Sequence, residues 1–185
     1  MIMEEWLTFF LSKIIFMVET KRLNIIPLNS EQLELYLLGN NKFEREFKLV
    51  DSGRKVSPEI NERVLRTILP AVKNSSDKNY LFYTFWIVIE RSKKIIVAEL
   101  GFKGEPAKNG EIEIGYGTMY EQRDNGYMTE AVGGMIRWAK QQERVKYILA
   151  ETDENNLASI SVVKKNKFQF DHQKEEMKWW RILVE

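Results

Sequence analysis

Arg123-Asp124-Asn125-Gly126-Tyr127-Met128-Thr129-Glu130 separates two stretches of different period. Before it, Glu111-Ile112-Glu113-Ile114-Gly115-Tyr116-Gly117 alternates as a strand with one buried face does. After it, from Thr129 onward, Ala131, Val132, Met135, Ile136 and Ala139 recur at helical intervals, enough for about four turns. The octapeptide is therefore a strand-to-helix turn with a glycine at its centre. Backbone N–H groups at a helix start lack intrahelical acceptors and carry the positive end of the helix dipole, so such a turn can bind a phosphate or pyrophosphate. Gly126 permits the close approach, but it would equally serve a plain turn that needs an unusual backbone angle. The stretch has neither the Gly-Lys-Ser/Thr of a nucleotide P-loop nor the three glycines of a dinucleotide fingerprint.

Working outward, residues 20–28 alternate well enough for a first strand, and Asn29-Ser30 before Glu31 marks a helix start. Leu33, Tyr36 and Leu37 continue that helix, and a second fits Pro58 to Val72 with Ile60, Val64, Leu65, Ile68 and Leu69 on one face. A loop at 74–79 precedes two strands, 82–89 and 95–101, joined as a hairpin near Ser92-Lys93-Lys94. Residues 111–117 then add a third antiparallel strand. Downstream come a buried strand at 147–150, a helix at 156–165, and closing strands at 168–170 and 178–184. This order predicts an α/β chain with a mixed, α+β-like sheet, without repeats or an interdomain linker.

Composition removes several chemistries. The 185 residues suit one domain able to bury its own core. Twenty-eight Lys and Arg against 27 Asp and Glu leave a net charge of +1, so no overall field draws the chain to nucleic acid or anionic lipid. Zero cysteines exclude disulfides, thiolate-zinc sites and cysteine nucleophiles, and a single histidine, His172, argues against a histidine metal cluster or a Ser-His hydrolase. No metal site is expected, and a cytoplasmic, reducing location is compatible. Residues 6–18 are apolar apart from two hydroxyls and Lys13, too short for a transmembrane span and without a basic start or small-residue cleavage site. Residues 1–18 are expected to form a helical extension that packs on the body or on a partner chain, which leaves room for a homodimer. Membrane-surface contact, or a start at Met17, are the other readings of that stretch. Residues 19–185 form the single domain.

The segment 123–128 resembles the pyrophosphate loop of the GNAT acetyltransferase superfamily, Gln/Arg-x-x-Gly-x-Gly/Ala. A second match follows at the spacing that family shows: Asn156-Leu157-Ala158-Ser159, leading through Lys165-Asn166-Lys167-Phe168, is similar to its Asn-x-x-Ser helix and Lys-x-Gly-Phe turn. With Thr20-x-Arg22-Leu23, Gly101-Phe102 and Glu113-Ile114-Gly115-Tyr116, the likeness spans roughly residues 19–182 and is nearest the ribosomal-protein N-acetyltransferase-like branch. Met128 departs from the pattern in place of a small residue, and so does Lys167 in place of glycine, where a different helix-end turn is expected.

The resemblance implies a GNAT-type fold, a central twisted and mostly antiparallel sheet flanked by helices. It implies acetyl transfer from acetyl-CoA to a primary amine, either a protein N-terminus or a small molecule, by direct attack in a ternary complex. Cofactor contacts would fall to Arg123, Asp124, Asn125, Gly126, Tyr127, Met128, Thr129 and Asn156, with backbone donors at Thr118 and Met119 where the strand splays. The chemistry needs a base, an oxyanion site and an acid. Glu113 is favoured as base over Glu111 and Glu99; by period two the first two share a face, and clustered carboxylates raise one another's pKa. Ser159 replaces the tyrosine that some members carry on the late helix, as proton donor to the thiolate. The competing reading is a non-catalytic acetyl-CoA-binding or protein-interaction module.

Overall fold

The computed structural model describes residues 16–39, 41–75 and 79–184. Most of the expected N-terminal helix lies outside the described residues. Phe16 meets the ring of Trp86 edge-on at 5.9 Å and Val18 opens the sheet, so residues 16–18 pack with the body.

Eight strands form one sheet: β1 (Val18–Glu19), β2 (Leu23–Pro27), β3 (Trp86–Glu90), β4 (Ile95–Phe102), β5 (Glu111–Thr118), β6 (Tyr147–Asp153), β7 (Gln169–Lys174) and β8 (Met177–Leu183). Their spatial order follows the chain except at the end, where β8 inserts between β6 and β7. Every neighbouring pair is antiparallel save β5 and β6, which run parallel across a helical crossover. The expected mixed, mostly antiparallel sheet is what the chain forms.

Alternation along the strands sends side chains into two separate cores. On one face, Leu23, Ile25, Trp86, Leu100, Ile112 and Ile114 pack against α5 (Tyr127–Ala139) and α6 (Leu157–Lys165). On the other, Ile26, Leu28, Ile87 and Ile89 pack against α1 (Ser30–Leu37), α2 (Lys42–Glu46), α3 (Pro58–Arg63) and α4 (Leu69–Asn74). At the helix start that the sequence foretold, Asn29 caps α1 reciprocally with Gln32, each bond 2.9 Å.

The second helix is not one regular rod. Between α3 and α4 the turn Val64–Ile68 is a π-helix, and the Leu69 N–H reaches back to Val64 O. Pro70 accounts for it: in a regular helix its ring would strike the carbonyl four residues earlier, and one extra residue in the turn relieves that clash. The extra residue rotates the helix face, so Leu65, expected inside, is 51% exposed while Val64 and Ile68 stay buried. Helix α2 lies in what reads as a charged connection. Its Glu44 makes a 2.8 Å ion pair with Arg54, both almost fully buried, and the Arg54 guanidinium sits 3.8 Å over the Tyr36 ring.

Candidate active site

Strands β5 and β6 pair only where Glu111–Glu113 meet Tyr147–Leu149, although they run on to Thr118 and Asp153. Past that point β4 holds β5 and β8 holds β6, so the sheet opens into a wedge. Residues of odd number on β5 direct their backbone to β4: Glu113 O accepts from Lys103 at 2.9 Å, and the Met119 N–H donates to Val97 O at 3.0 Å. Since successive peptide groups point to opposite sides of a strand, the backbone of Tyr116 and Thr118 faces the wedge. Of the two expected donors, Thr118 is therefore turned to the opening, while Met119 is committed to β4.

The Arg123–Gly126 turn leads from β5 to the start of α5. Gly126 is the N-cap at φ +73° and supplies no side-chain cap, whereas Asn29, Ser57 and Asn156 cap α1, α3 and α6. The first amides of α5 thus lack both an intrahelical acceptor and a capping oxygen. The carbonyls of the turn are occupied. Asn125 Nδ2 donates to Gln122 O at 3.3 Å and Arg123 O at 2.9 Å, and Arg22 Nη1 donates to Asn125 O at 3.1 Å. Glu130 anchors Arg22 in turn, accepting from its Nε and its backbone N–H, each at 2.7 Å, and from Thr20 Oγ1 at 2.6 Å. Burial works to raise the Glu130 carboxyl, but these hydrogen bonds from Thr20 and Arg22 outweigh it and hold it below its ordinary value.

The expected loop residues divide by exposure. Arg123, Asp124, Asn125 and Gly126 are exposed, while Tyr127 and Met128 are buried in the core and Thr129 is half-buried. Because the Met128 side chain packs inward, it does not crowd the loop surface. Lys167 takes the left-handed conformation that a glycine would supply, so the different turn expected there does not form. It adopts φ +66° after α6, with Lys167 N–H to Lys164 O at 3.0 Å and Phe168 N–H to Val163 O at 3.1 Å. Asn156 accepts from the Ser159 N–H at 3.0 Å, and the Ser159 Oγ lies 3.0 Å from the Tyr116 hydroxyl across the wedge.

On the opposite face, a groove is lined by Thr84, Phe85, Glu99 and the glycines of β4 and β5, with Ile60, Arg63 and Ile68 contributed around the π turn. Gly101 is required there, since a Cβ would stand 2.8 Å from Thr84 O; Gly115 and Gly117 leave the strand surface bare. Glu99 sits opposite Gly117. It shares a face with Glu111 and Glu113 but lies about 13 Å along the sheet from Glu113 at 3.3 Å per residue. The three carboxylates are thus not one cluster. Glu113 is ion-paired with Lys103, which also approaches Glu151 at 3.6 Å, and Glu111 pairs with Arg181 at 2.8 Å. Burial pushes the Glu99 carboxyl up to about 7, and the hydroxyl of Tyr36 donates to it.

Two aromatic residues therefore join the site from outside the expected set. Tyr36 reads as one apolar position of α1, and nothing local pairs it with a residue 63 positions on. Tyr116 is visible in the sequence only as part of a strand motif; its contact with Ser159 depends on how α6 packs. Among the described residues, no group of three His, Cys, Asp or Glu side chains could hold a metal ion, and no helix is long and apolar enough to cross a membrane.

An open wedge in a sheet, with an uncapped helix start beside it, is a cleft for an elongated ligand carrying phosphates. The comparisons agree with that geometry. An acetyltransferase (GNAT) domain model matches residues 22–169. An uncharacterized N-acetyltransferase of Bacillus subtilis, YjdG, is 31% identical over 166 residues, covering 89% of this chain and 96% of that one. Ribosomal-protein-S5-alanine acetyltransferase from Vibrio fischeri superposes with a TM-score of 0.64 at 14% identity, over 91% of this chain and 97% of its own. The ribosomal L7/L12 α-N-protein acetyltransferase RimL, solved in complex with coenzyme A, gives 0.63 at 12% identity, over 91% and 98%. The chain belongs to the GNAT acetyltransferase family, as an N-acyltransferase that delivers an acetyl group to an amine.

Proposed function

We propose that the chain binds acetyl-CoA in the β5–β6 wedge and transfers its acetyl group directly to a primary amine, a protein N-terminus or a small molecule, that enters the groove on the opposite face. The observation that carries this reading is the uncapped start of α5 beside the splayed strands. The donor set fits acetyl-CoA: free amides from Asn125 to Thr129 suit the pyrophosphate, with Arg123 as the nearby cation. Asp124 shapes the turn at φ +61°, Tyr127 and Met128 anchor it in the core, and Asn156 orders the start of α6 at the far wall. Acetyl-CoA supplies the activated acyl carbon.

The amide of Thr118, turned to the wedge, is placed to stabilise the oxyanion that forms as the amine attacks. Of the three carboxylates that share the face, Glu99 is the one suited to take the amine proton. It lies in the groove, no ion pair among the described residues holds it, and its raised pKa lets it accept a proton near neutrality. Glu113 and Glu111 are held by cations. The Tyr36 hydroxyl fixes the orientation of Glu99 from a ring locked between Phe43, Phe85 and Arg54. A cytoplasmic location accords with the absence of cysteine and with the cofactor.

The test is acetyl-CoA binding by calorimetry together with thiol release across amino acids, polyamines, aminoglycosides and peptide N-termini. Gly126→Glu places a side chain and a negative charge on a left-handed backbone at the phosphate site and is expected to abolish binding. Turnover that is unaffected by Gly126→Glu would overturn the assignment of the loop. Binding without turnover on any amine would favour a binding module.

A further inference from the structure

Tyr116 stands where the two halves of the site meet. It lies between Gly115 and Gly117 on the floor of the acceptor groove, with its backbone toward the wedge. Its half-buried ring packs against the core under α5 and α6. The hydroxyl ends 3.0 Å from Ser159 Oγ and 3.3 Å from the Ser159 carbonyl. A phenol has a single proton. If Ser159 donates into the phenolic oxygen, that proton is left facing a carbonyl at 3.3 Å, a weak bond that a stronger acceptor in the wedge would displace.

On the reading that acetyl-CoA occupies the wedge, we propose that Tyr116 is the proton donor to the departing thiolate and that Ser159 is its supporting hydrogen-bond donor. The step balances. The amine nitrogen bonds to the acyl carbon and gives its proton to Glu99; the C–S bond breaks with its electron pair on sulfur, and the Tyr116 proton passes to that sulfur. The Ser159 hydroxyl holds the phenolate, which recovers a proton from water while Glu99 releases one. Burial keeps the Tyr116 phenol above its ordinary value, so it is protonated throughout the neutral range, while the Ser159 hydrogen bond pulls toward easier release. A strand hydroxyl thus does what the sequence assigned to Ser159 alone.

The test combines binding with turnover, so that a proton-donor role and a packing role give different results. At pH 9 a share of the thiol of coenzyme A is ionised and gives the thiolate that a proton donor would hold, whereas desulfo-coenzyme A has no thiol to ionise. Calorimetry should show Tyr116→Phe binding acetyl-CoA and desulfo-coenzyme A as the wild type does, while losing about 10-fold in affinity for coenzyme A at that pH. Its kcat should fall by about 100-fold with KM for acetyl-CoA unchanged. Ser159→Ala, which leaves the ring in place, should lower kcat several-fold in the same pattern and serves if Tyr116→Phe does not fold. Unchanged kcat in Tyr116→Phe, or equal weakening toward all three ligands, would overturn the proposal. Failure of the wild type to bind acetyl-CoA would instead remove the reading on which it rests.

Discussion

Glu99 shows how one side chain couples the chemistry of the groove to the stability of the fold. Its folded pKa is raised from 4.5 to about 7 by burial, so between those values the native state binds a proton that the unfolded chain has released. Stability from this group is complete below about 4.5 and is lost as pH rises through 7. Activity is expected to run the other way, since the proposed base must be deprotonated. The rate kcat/KM is expected to rise with pH through about 7 and level off above it. Glu99→Gln should remove that limb and lower kcat by about 100-fold or more, while its Tm advantage over wild type grows from pH 5 to pH 8. A pH–rate profile with an unchanged acid limb in Glu99→Gln would exclude Glu99 as the base. Period-two alternation placed Glu111 and Glu113 on one face, and that much was legible. The position of Glu99 was not, because the register of β4 on β5 depends on the 103–110 connection. The cations at Lys103 and Arg181, which hold the other two carboxylates, come from other strands and leave no local mark.

Helix ends carry much of what the sequence foretold, because caps are local. Asn29 and Asn156 were both readable as helix starts, and both accept the backbone N–H three residues on. Lys167 is the informative exception. The paired bonds after α6 require a left-handed residue, and they form with lysine there because the Phe168 side chain, 4% exposed, is drawn into the core. The backbone strain is borne rather than avoided. Lys167→Gly is expected to stabilise the fold by about 1 kcal/mol, read as a higher denaturant midpoint at unchanged m-value, with acetyl-CoA affinity unaltered. A neutral or destabilising result would mean that the lysine side chain makes compensating contacts. The π turn and α2 were illegible for different reasons. The turn is a response to Pro70 within an otherwise regular helical pattern, and one inserted residue shifts the face without changing composition. Helix α2 has only five residues, too few for periodicity to show, and it is held by Phe43 and Phe47 stacked at 4.4 Å and by the buried Glu44–Arg54 pair.

At the scale of the molecule, one sheet separates two cores and with them two binding surfaces. The wedge proposed for acetyl-CoA opens on the face covered by α5 and α6, and the groove proposed for the acceptor on the face covered by α1 to α4. The strands between them, β3 and β4, are buried on both sides over most of their length, so a ligand on one surface has little purchase on the backbone of the other. The contact that crosses this division is made by β5, through Tyr116, Thr118 and the glycines that flank Tyr116. Hydrogen exchange should therefore resolve the two sites. Addition of acetyl-CoA is expected to slow exchange at the amides of residues 125–129 and at Tyr116 and Thr118, which among the described residues have no strand partner across the wedge. Amides of α3, the π turn and α4 should keep their rates, because these segments pack on the opposite face of the sheet from α5 and α6. Addition of an amine acceptor should slow the amides around Ile60 to Ile68 and leave 125–129 as they were. Protection by acetyl-CoA confined to the π-turn side would place the cofactor in the groove and reverse the assignment. Equal protection on both sides would mean that the sheet transmits closure between the halves, and that the two surfaces act as one.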